Sequence, residues 1–210
     1  MTGRYAMHGA EGDAQPGSRG RVLANRLGIV RVGAMQAAES DALVALAGAL
    51  LLEVDERQVF NAATLQDWHR RWLGGIYPWA GQYRQVNMSK GGFLFAAAHL
   101  LDRLMADYSR DVLGAWTPCA GMDEGRLVRA LALIHAEFIL IHPFREGNGR
   151  LARLLNTMMA LQAGLPALDY GGIAGRGKRE YIAAIHAAQG CDYGPMEQVF
   201  RKVLRRTQRS

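Results

Sequence analysis

The chain has 210 residues, 50% hydrophobic and 21% charged, a composition that suits one globular domain with a substantial core and excludes a disordered chain. Its formal net charge of +6 favours an anionic partner, whether nucleotide, nucleic acid, membrane surface or acidic protein, yet no zinc-finger spacing, RNP-like aromatic motif or helix-turn-helix supports direct nucleic-acid binding. No basic start followed by an apolar run marks a secretory signal, and Cys119 and Cys191 lack CxxC or metal-like spacing, so a cytoplasmic location is expected.

Residues 1–20 are rich in Gly, Ala and polar side chains and read as a loosely ordered N-terminal arm, leaving 21–210 as a single domain. Residues 41–54 carry apolar side chains at helical spacing, with Ser40 or Asp41 as N-cap. A second helix is expected at 62–73, where Trp68 and Trp72 share one face as core residues. From 77 to 95 the pattern changes. Pro78, Gly81, Gly91 and Gly92 break helices, Tyr83, Val86, Phe93 and Phe95 favour extended chain, and two short strands joined around residues 89–92 form a hairpin spanning about 83–95.

Helix resumes at about 97–113. The helix expected at about 123–141 is apolar on almost every side and therefore central, and its most apolar stretch, 127–141, reads as core rather than a membrane span because Arg129, His135 and Glu137 interrupt it. Pro143 ends it at His142. Further helices are expected from Asn148 or Gly149 to about 163, over 178–189 and over 194–207. The fold class is therefore all-α with one small β-hairpin. A basic cluster at Arg201, Lys202, Arg205, Arg206 and Arg209 reads as a solvated helix face.

Residues 142–153, HPFREGNGRLAR, concentrate the chemistry. Gly147-Asn148-Gly149 opens a helix, where a tight backbone turn and unpaired N–H groups suit an anion. Arg150 and Arg153 lie three apart and offer two planar forks for phosphate on that first turn. Glu146 is the single carboxylate a Mg²⁺ ion needs when phosphates and water supply its other ligands. His142 can act as general base beside a bound polyphosphate, and Phe144 points into the core to fix the loop. A different metal reading would use His135, His142 and Glu146 as ligands, but the chain has neither HExxH nor a supporting Cys/His/Asp cluster.

The segment His142-Pro143-Phe144-Arg145-Glu146-Gly147-Asn148-Gly149-Arg150 with Arg153 resembles the Fic-domain signature HxFx(D/E)GNGRxxR at every specified position. The resemblance extends to VLANRLGI at 22–29, to the hairpin region 77–95, and to REYIAAIHAA and DYGPMEQVF near the C-terminus. It implies a protein adenylyltransferase that transfers AMP from ATP to a Ser, Thr or Tyr hydroxyl of a target protein and releases pyrophosphate. By that likeness His142 is the catalytic base and Glu146 holds Mg²⁺. Gly147, Asn148 and Gly149 cradle the phosphates with Arg150, and Arg153 reaches the γ-phosphate. The hairpin would be a flap, with Lys90, Gly91, Gly92 and Phe93 aligning the target segment as an added strand. Lys90 would also touch nucleotide, and Tyr181 would lie on the adenine side.

The kinase branch of the family carries lysine at the second glycine of GNG, so Gly149 favours adenylyl over phosphoryl transfer. Alternatives are a different nucleotide-derived group at the same site, phosphocholine included, or a catalytically idle binding module on the same scaffold. The inhibitory pattern (S/T)xxxE(G/N) found in many relatives is not recognisable here. The Glu-Gly pairs fall at 11–12, 124–125 and 146–147, preceded four residues earlier by Met7, Ala120 and His142. The resemblance then implies a toxin of a toxin–antitoxin pair, restrained by a small antitoxin whose glutamate pairs with Arg153.

Overall fold

The first long helix starts well before Ser40, in the Ala-rich stretch that includes Gly33. In the computed structural model, which describes residues 6–8, 13–173, 175 and 177–209, α1 spans Val32–Glu53. Ser40 and Asp41 are exposed positions inside it, so the expected N-cap is corrected: helix-forming Ala34, Ala37 and Ala38 carry the helix past them. By length and composition α1 is the one helix among the described residues that could cross a membrane. It buries Met35, Glu39, Leu46 and Leu50 and leaves Val44, Leu51 and Leu52 exposed. Of the expected arm at 1–20, residues 1–5 and 9–12 lie outside the described residues; within 13–20, Ser18 is buried and the Gln15 N–H donates to the Val22 carbonyl at 2.8 Å.

The chain divides into two compact units, Met1–Leu52 with Ala62–Met105 and Ile141–Gly147, and Glu53–Asn61 with Ala106–Leu140 and Asn148–Ser210. In the first unit α2 (Ala62–Leu73) buries Leu65, Trp68, His69, Trp72 and Leu73, as its spacing predicts. Glu39 is also buried. The Tyr77 hydroxyl donates to its carboxylate at 2.7 Å and the Trp72 indole N–H donates to its carbonyl at 2.8 Å, so the carboxylate is not left unsatisfied. The expected hairpin is β2 (Asn87–Lys90) and β3 (Phe93–Leu94), antiparallel with Ser89 opposite Leu94. Gly91 and Gly92 both adopt positive φ, 57° and 83°, the requirement of a two-residue type I′ turn. A third strand, β1 (Ala6–His8), pairs antiparallel with β2 and gives the order β1-β2-β3. Val86, Met88 and Phe95 form a small apolar cluster with Phe93 against it.

The helix expected over 97–113 is subdivided. A 3-10 turn at Ala98–Leu100 leads into α3 (Leu101–Asp107), a π-helical segment at Tyr108–Leu113 and a short α4 (Gly114–Trp116). In the second unit the π segment turns Tyr108 and Leu113 inward together, and the Tyr108 hydroxyl donates to the Ile134 carbonyl at 2.9 Å. The centre of that unit is α5 (Glu124–Ile141), with Leu127, Val128, Leu131, Ile134 and Phe138 buried. Next comes α6 (Asn148–Gln162), whose buried face includes Leu151, Leu155 and Met159. Asn156 Nδ2 donates to the Leu131 carbonyl at 2.8 Å and ties α6 to α5. A 3-10 turn at Tyr170–Ile173 precedes α7 (Gly177–Ala188) and α8 (Gly194–Thr207).

The basic cluster on α8 is substantially neutralised. Arg201 reaches Glu197, Lys202 reaches Glu180 at 2.5 Å and Arg206 reaches Asp169 at 2.5 Å. A cavity of about 680 Å³ in this unit is lined by Trp116, Asp123, Arg126, Arg129, Glu197 and Arg201 among others. Glu197 there lies 3.6 Å from Arg129 and 3.4 Å from Arg201. No residue of the 142–153 motif lines it.

Candidate active site

α5 ends at Ile141, and His142 turns the chain with φ of 53°. A non-glycine residue in the left-handed region costs about 1–2 kcal/mol and persists where its surroundings hold it. Here Arg84 supplies that hold, its Nε donating to the His142 carbonyl at 2.8 Å. The His142 ring is stacked on Phe95, centroids 3.8 Å apart and planes within 15°, so the apolar underside of the hairpin reaches the imidazole. His142 is 4% exposed.

The rest of the loop is fixed from beneath. Phe144 is fully buried, as expected, and its ring lies flat on His69 at 3.9 Å. The Gly81 N–H donates to His69 Nδ1 at 2.8 Å, which leaves the proton on Nε2 to be donated to the Glu146 carbonyl at 3.1 Å. His69 is thus a brace between α2 and the loop. Arg145 lies over the Trp79 ring at 5.8 Å. Glu146 Oε1 accepts the Gly147 N–H at 2.9 Å, which aims the carboxylate along the glycine turn. Gly147 has φ of 84°.

In the second unit Asn148 begins α6 and is fully buried, while Gly149, Arg150 and Arg153 are half-buried. The Arg153 guanidinium lies back along this first turn, its Nη1 3.8 Å from where a Cβ on Gly149 would sit. It makes no hydrogen bond or ion pair among the described residues. The Arg153 carbonyl accepts from Thr157 Oγ1 at 2.9 Å and from the Tyr170 hydroxyl at 3.1 Å. Tyr181, expected on the adenine side, is hydrogen-bonded through its hydroxyl to His135 Nε2 at 2.9 Å. Burial drives the Tyr181 hydroxyl up to about 12. His135 is pushed down to about 3 by burial first and by the Arg153 charge second, with the Asn156 side chain acting in the opposite direction. A neutral imidazole therefore stands behind a positive guanidinium.

Lys90, Gly91 and Gly92 form the exposed tip of the hairpin and Phe93 is half-buried. Ser89, Lys90 and Leu94 offer backbone along its strands.

Among the described residues no three His, Cys, Asp or Glu side chains converge on a possible metal position. His135 is engaged with Tyr181. A lone carboxylate oxygen donor beside a glycine turn does fit Mg²⁺, which takes its remaining ligands from phosphate and water. Sequence reasoning missed Arg84 and His69: neither lies in the motif, and an isolated arginine or histidine gives no local signal of what it will brace.

The family model described as Fic/DOC family matches residues 59–160. The chain is 28% identical over 166 residues to "Protein adenylyltransferase fic-1" of Caenorhabditis briggsae, an alignment covering 77% of this chain and 30% of that protein. It is 27% identical over 140 residues to "Probable protein adenylyltransferase Fic" of Escherichia coli (strain K12), covering 65% of this chain and 66% of the relative. The chain thus spans less than two thirds of both relatives' lengths. A solved structure of BepC, a VirB-translocated effector protein of Bartonella tribocorum with bound AMPPNP, superimposes with a TM-score of 0.67 at 20% identity, covering 86% of this chain and 91% of that one. At that identity the match establishes the shared fold.

Proposed function

We propose that this protein belongs to the Fic/DOC family, whose model matches residues 59–160, and is a protein adenylyltransferase that moves AMP from ATP to a Ser, Thr or Tyr hydroxyl of a target protein. The observation that carries the reading is the unbroken run from His142 to Arg153 with glycine at 149, set in a loop whose His142 and Glu146 carbonyls are held by Arg84 and His69 and whose Gly147 N–H donates to the Glu146 carboxylate. Relatives named as adenylyltransferases support the same chemistry.

His142 takes the proton from the target hydroxyl as its oxygen forms a bond to the α-phosphorus of ATP. The bond from that phosphorus to the bridging oxygen breaks, and pyrophosphate leaves. Glu146 would hold Mg²⁺, which when bound neutralises charge on the phosphates. The α6 N-terminus, from Asn148 and Gly149, donates N–H groups to phosphate oxygens, with Arg150 supporting them and Arg153 on the γ-phosphate. The hairpin aligns the target segment by strand addition, with Lys90 near nucleotide. The test is product analysis with ATP, Mg²⁺ and a bacterial lysate. Pyrophosphate formed in step with protein modification is expected, and ADP formed in its place would refute adenylyl transfer.

The reading extends to regulation by a separate small antitoxin that supplies a glutamate to Arg153. The support is twofold: the chain has no recognisable (S/T)xxxE(G/N) segment, and the Arg153 guanidinium makes no bond among the described residues. A desolvated arginine–carboxylate pair would be strong and directional. Co-purification from the native source is expected to yield a small helical protein that blocks transfer. Inhibition unchanged in an active Arg153 variant would count against the pairing.

A further inference from the structure

We propose that Arg84 is a positioning residue for His142. Its buried guanidinium fixes the left-handed backbone at His142 and both stems of the hairpin together, so one side chain sets the base and the strand that presents the acceptor. The inference rests on the reading of His142 as general base.

Arg84 is 2% exposed. Its Nε donates to the His142 carbonyl at 2.8 Å, Nη1 to the Val86 carbonyl at 2.7 Å, and Nη2 to the Ala96 carbonyl at 2.6 Å and the Ile141 carbonyl at 3.2 Å. Its own backbone N–H donates to the Pro143 carbonyl at 2.9 Å. Three consecutive carbonyls, 141 to 143, are thereby held by one residue. They lie at and just past the C-terminus of α5, where a helix leaves carbonyls without intrahelical donors and where a cation is favoured. Val86 precedes β2 and Ala96 follows β3, so the same fork also pins the hairpin at both ends.

The consequence is geometric. With φ of 53° at His142, the Cβ direction, and so the aim of the imidazole, depends on keeping that backbone in place. Phe95, next to Ala96, is the ring on which the imidazole stacks. Loosening the fork releases both contacts that orient the base. Lysine retains the charge but concentrates it on a single nitrogen, which cannot serve four carbonyls in the plane of a guanidinium.

The experiment compares the full chain with Arg84→Lys. Histidine-selective ¹³C NMR follows the rings, with His142 assigned by its loss in His142→Ala, and ATP affinity and transfer from α-labelled ATP into a bacterial lysate are measured in parallel. The expected result is a displaced His142 signal, an unmoved His135 signal, unchanged ATP affinity and transfer slower by about 10²-fold, the scale of a misplaced catalytic group. A folded Arg84→Lys chain with the His142 signal unmoved would overturn the proposal. If the wild-type chain shows no transfer but His142 still moves, the reading of function fails and the positioning stands.

A second measurement covers a variant too unstable for NMR. His142→Gly removes the strain of the left-handed backbone, so Arg84→Lys should lower Tm less in that background than in the wild type. Equal losses in the two backgrounds would overturn the proposal.

Discussion

The Gly147 backbone passes so close to Trp72 that a Cβ built on it would lie 2.6 Å from the indole. With φ of 84° at the same residue, alanine would be both strained and in collision, because neither the left-handed backbone nor a buried indole yields cheaply. Gly149 differs: its nearest atom to such a Cβ is Arg153 Nη1 at an ordinary 3.8 Å. Gly147→Ala is therefore expected to lose upwards of about 2 kcal/mol of stability, whereas Gly149→Ala should keep the wild-type Tm. Thermal melts of the two variants check the contrast, and equal Tm losses would refute it.

The buried imidazole of His135 makes a pH prediction. Its folded value is pushed down to about 3, against about 6.5 in an unfolded chain. Above 6.5 both states are neutral and this group adds no pH dependence. Between 6.5 and 3 the unfolded chain takes up a proton that the folded chain refuses, so stability is lost as pH falls, by about 1.4 kcal/mol per unit. Denaturant titrations at pH 7 and pH 5 should show a steeper loss for the wild type than for His135→Gln. Parallel losses would mean His135 is not the group responsible.

Division of labour in the 142–153 motif predicts opposite phenotypes. His142→Ala should cut transfer by about 10²–10⁴-fold, the usual share of a general base, while ATP affinity holds. Arg153→Ala should weaken ATP binding by about 1.5–3 kcal/mol, the scale of a charge-assisted bond, and leave ADP binding alone. Calorimetric titration with both nucleotides distinguishes them. An Arg153 variant that loses ATP and ADP equally would remove the γ-phosphate assignment.

The two cysteines should differ in reactivity. Cys119 is buried, its Sγ–H donates to the Trp116 carbonyl at 3.5 Å, and its thiol is pushed up to about 12 by burial. Cys191 is exposed. Thiol titration of the native protein is expected to label Cys191 alone and to reach Cys119 only after denaturation. Rapid native labelling of Cys191→Ser would contradict the burial of Cys119.

The helices at 62–73 and 148–162 were legible because one apolar stripe and flanking breakers define each of them, 124–141 because it is a near-continuous apolar run stopped by Pro143, and Gly91-Gly92 announced the hairpin. The start of α1 was not, since alanines carry a helix without marking its beginning. The π segment at Tyr108–Leu113 carries Tyr108, whose hydroxyl reaches the Ile134 carbonyl 26 positions away, and β1 needs a partner strand some eighty positions away in the chain. The same division runs through the site. His142, Glu146 and Gly147 are contiguous and chemically suggestive, while Arg84 and His69 acquire their roles only when folding brings them to carbonyls 58 and 77 positions distant.

The most direct test of adenylyl transfer is incorporation of label from ATP carrying ³²P at either the α- or the γ-position, with Mg²⁺ and a bacterial lysate, by the wild type and His142→Ala. Protein labelled from the α-position alone, by the wild type alone, is the predicted result. Label from the γ-position, or equal α-label with His142→Ala, would contradict it.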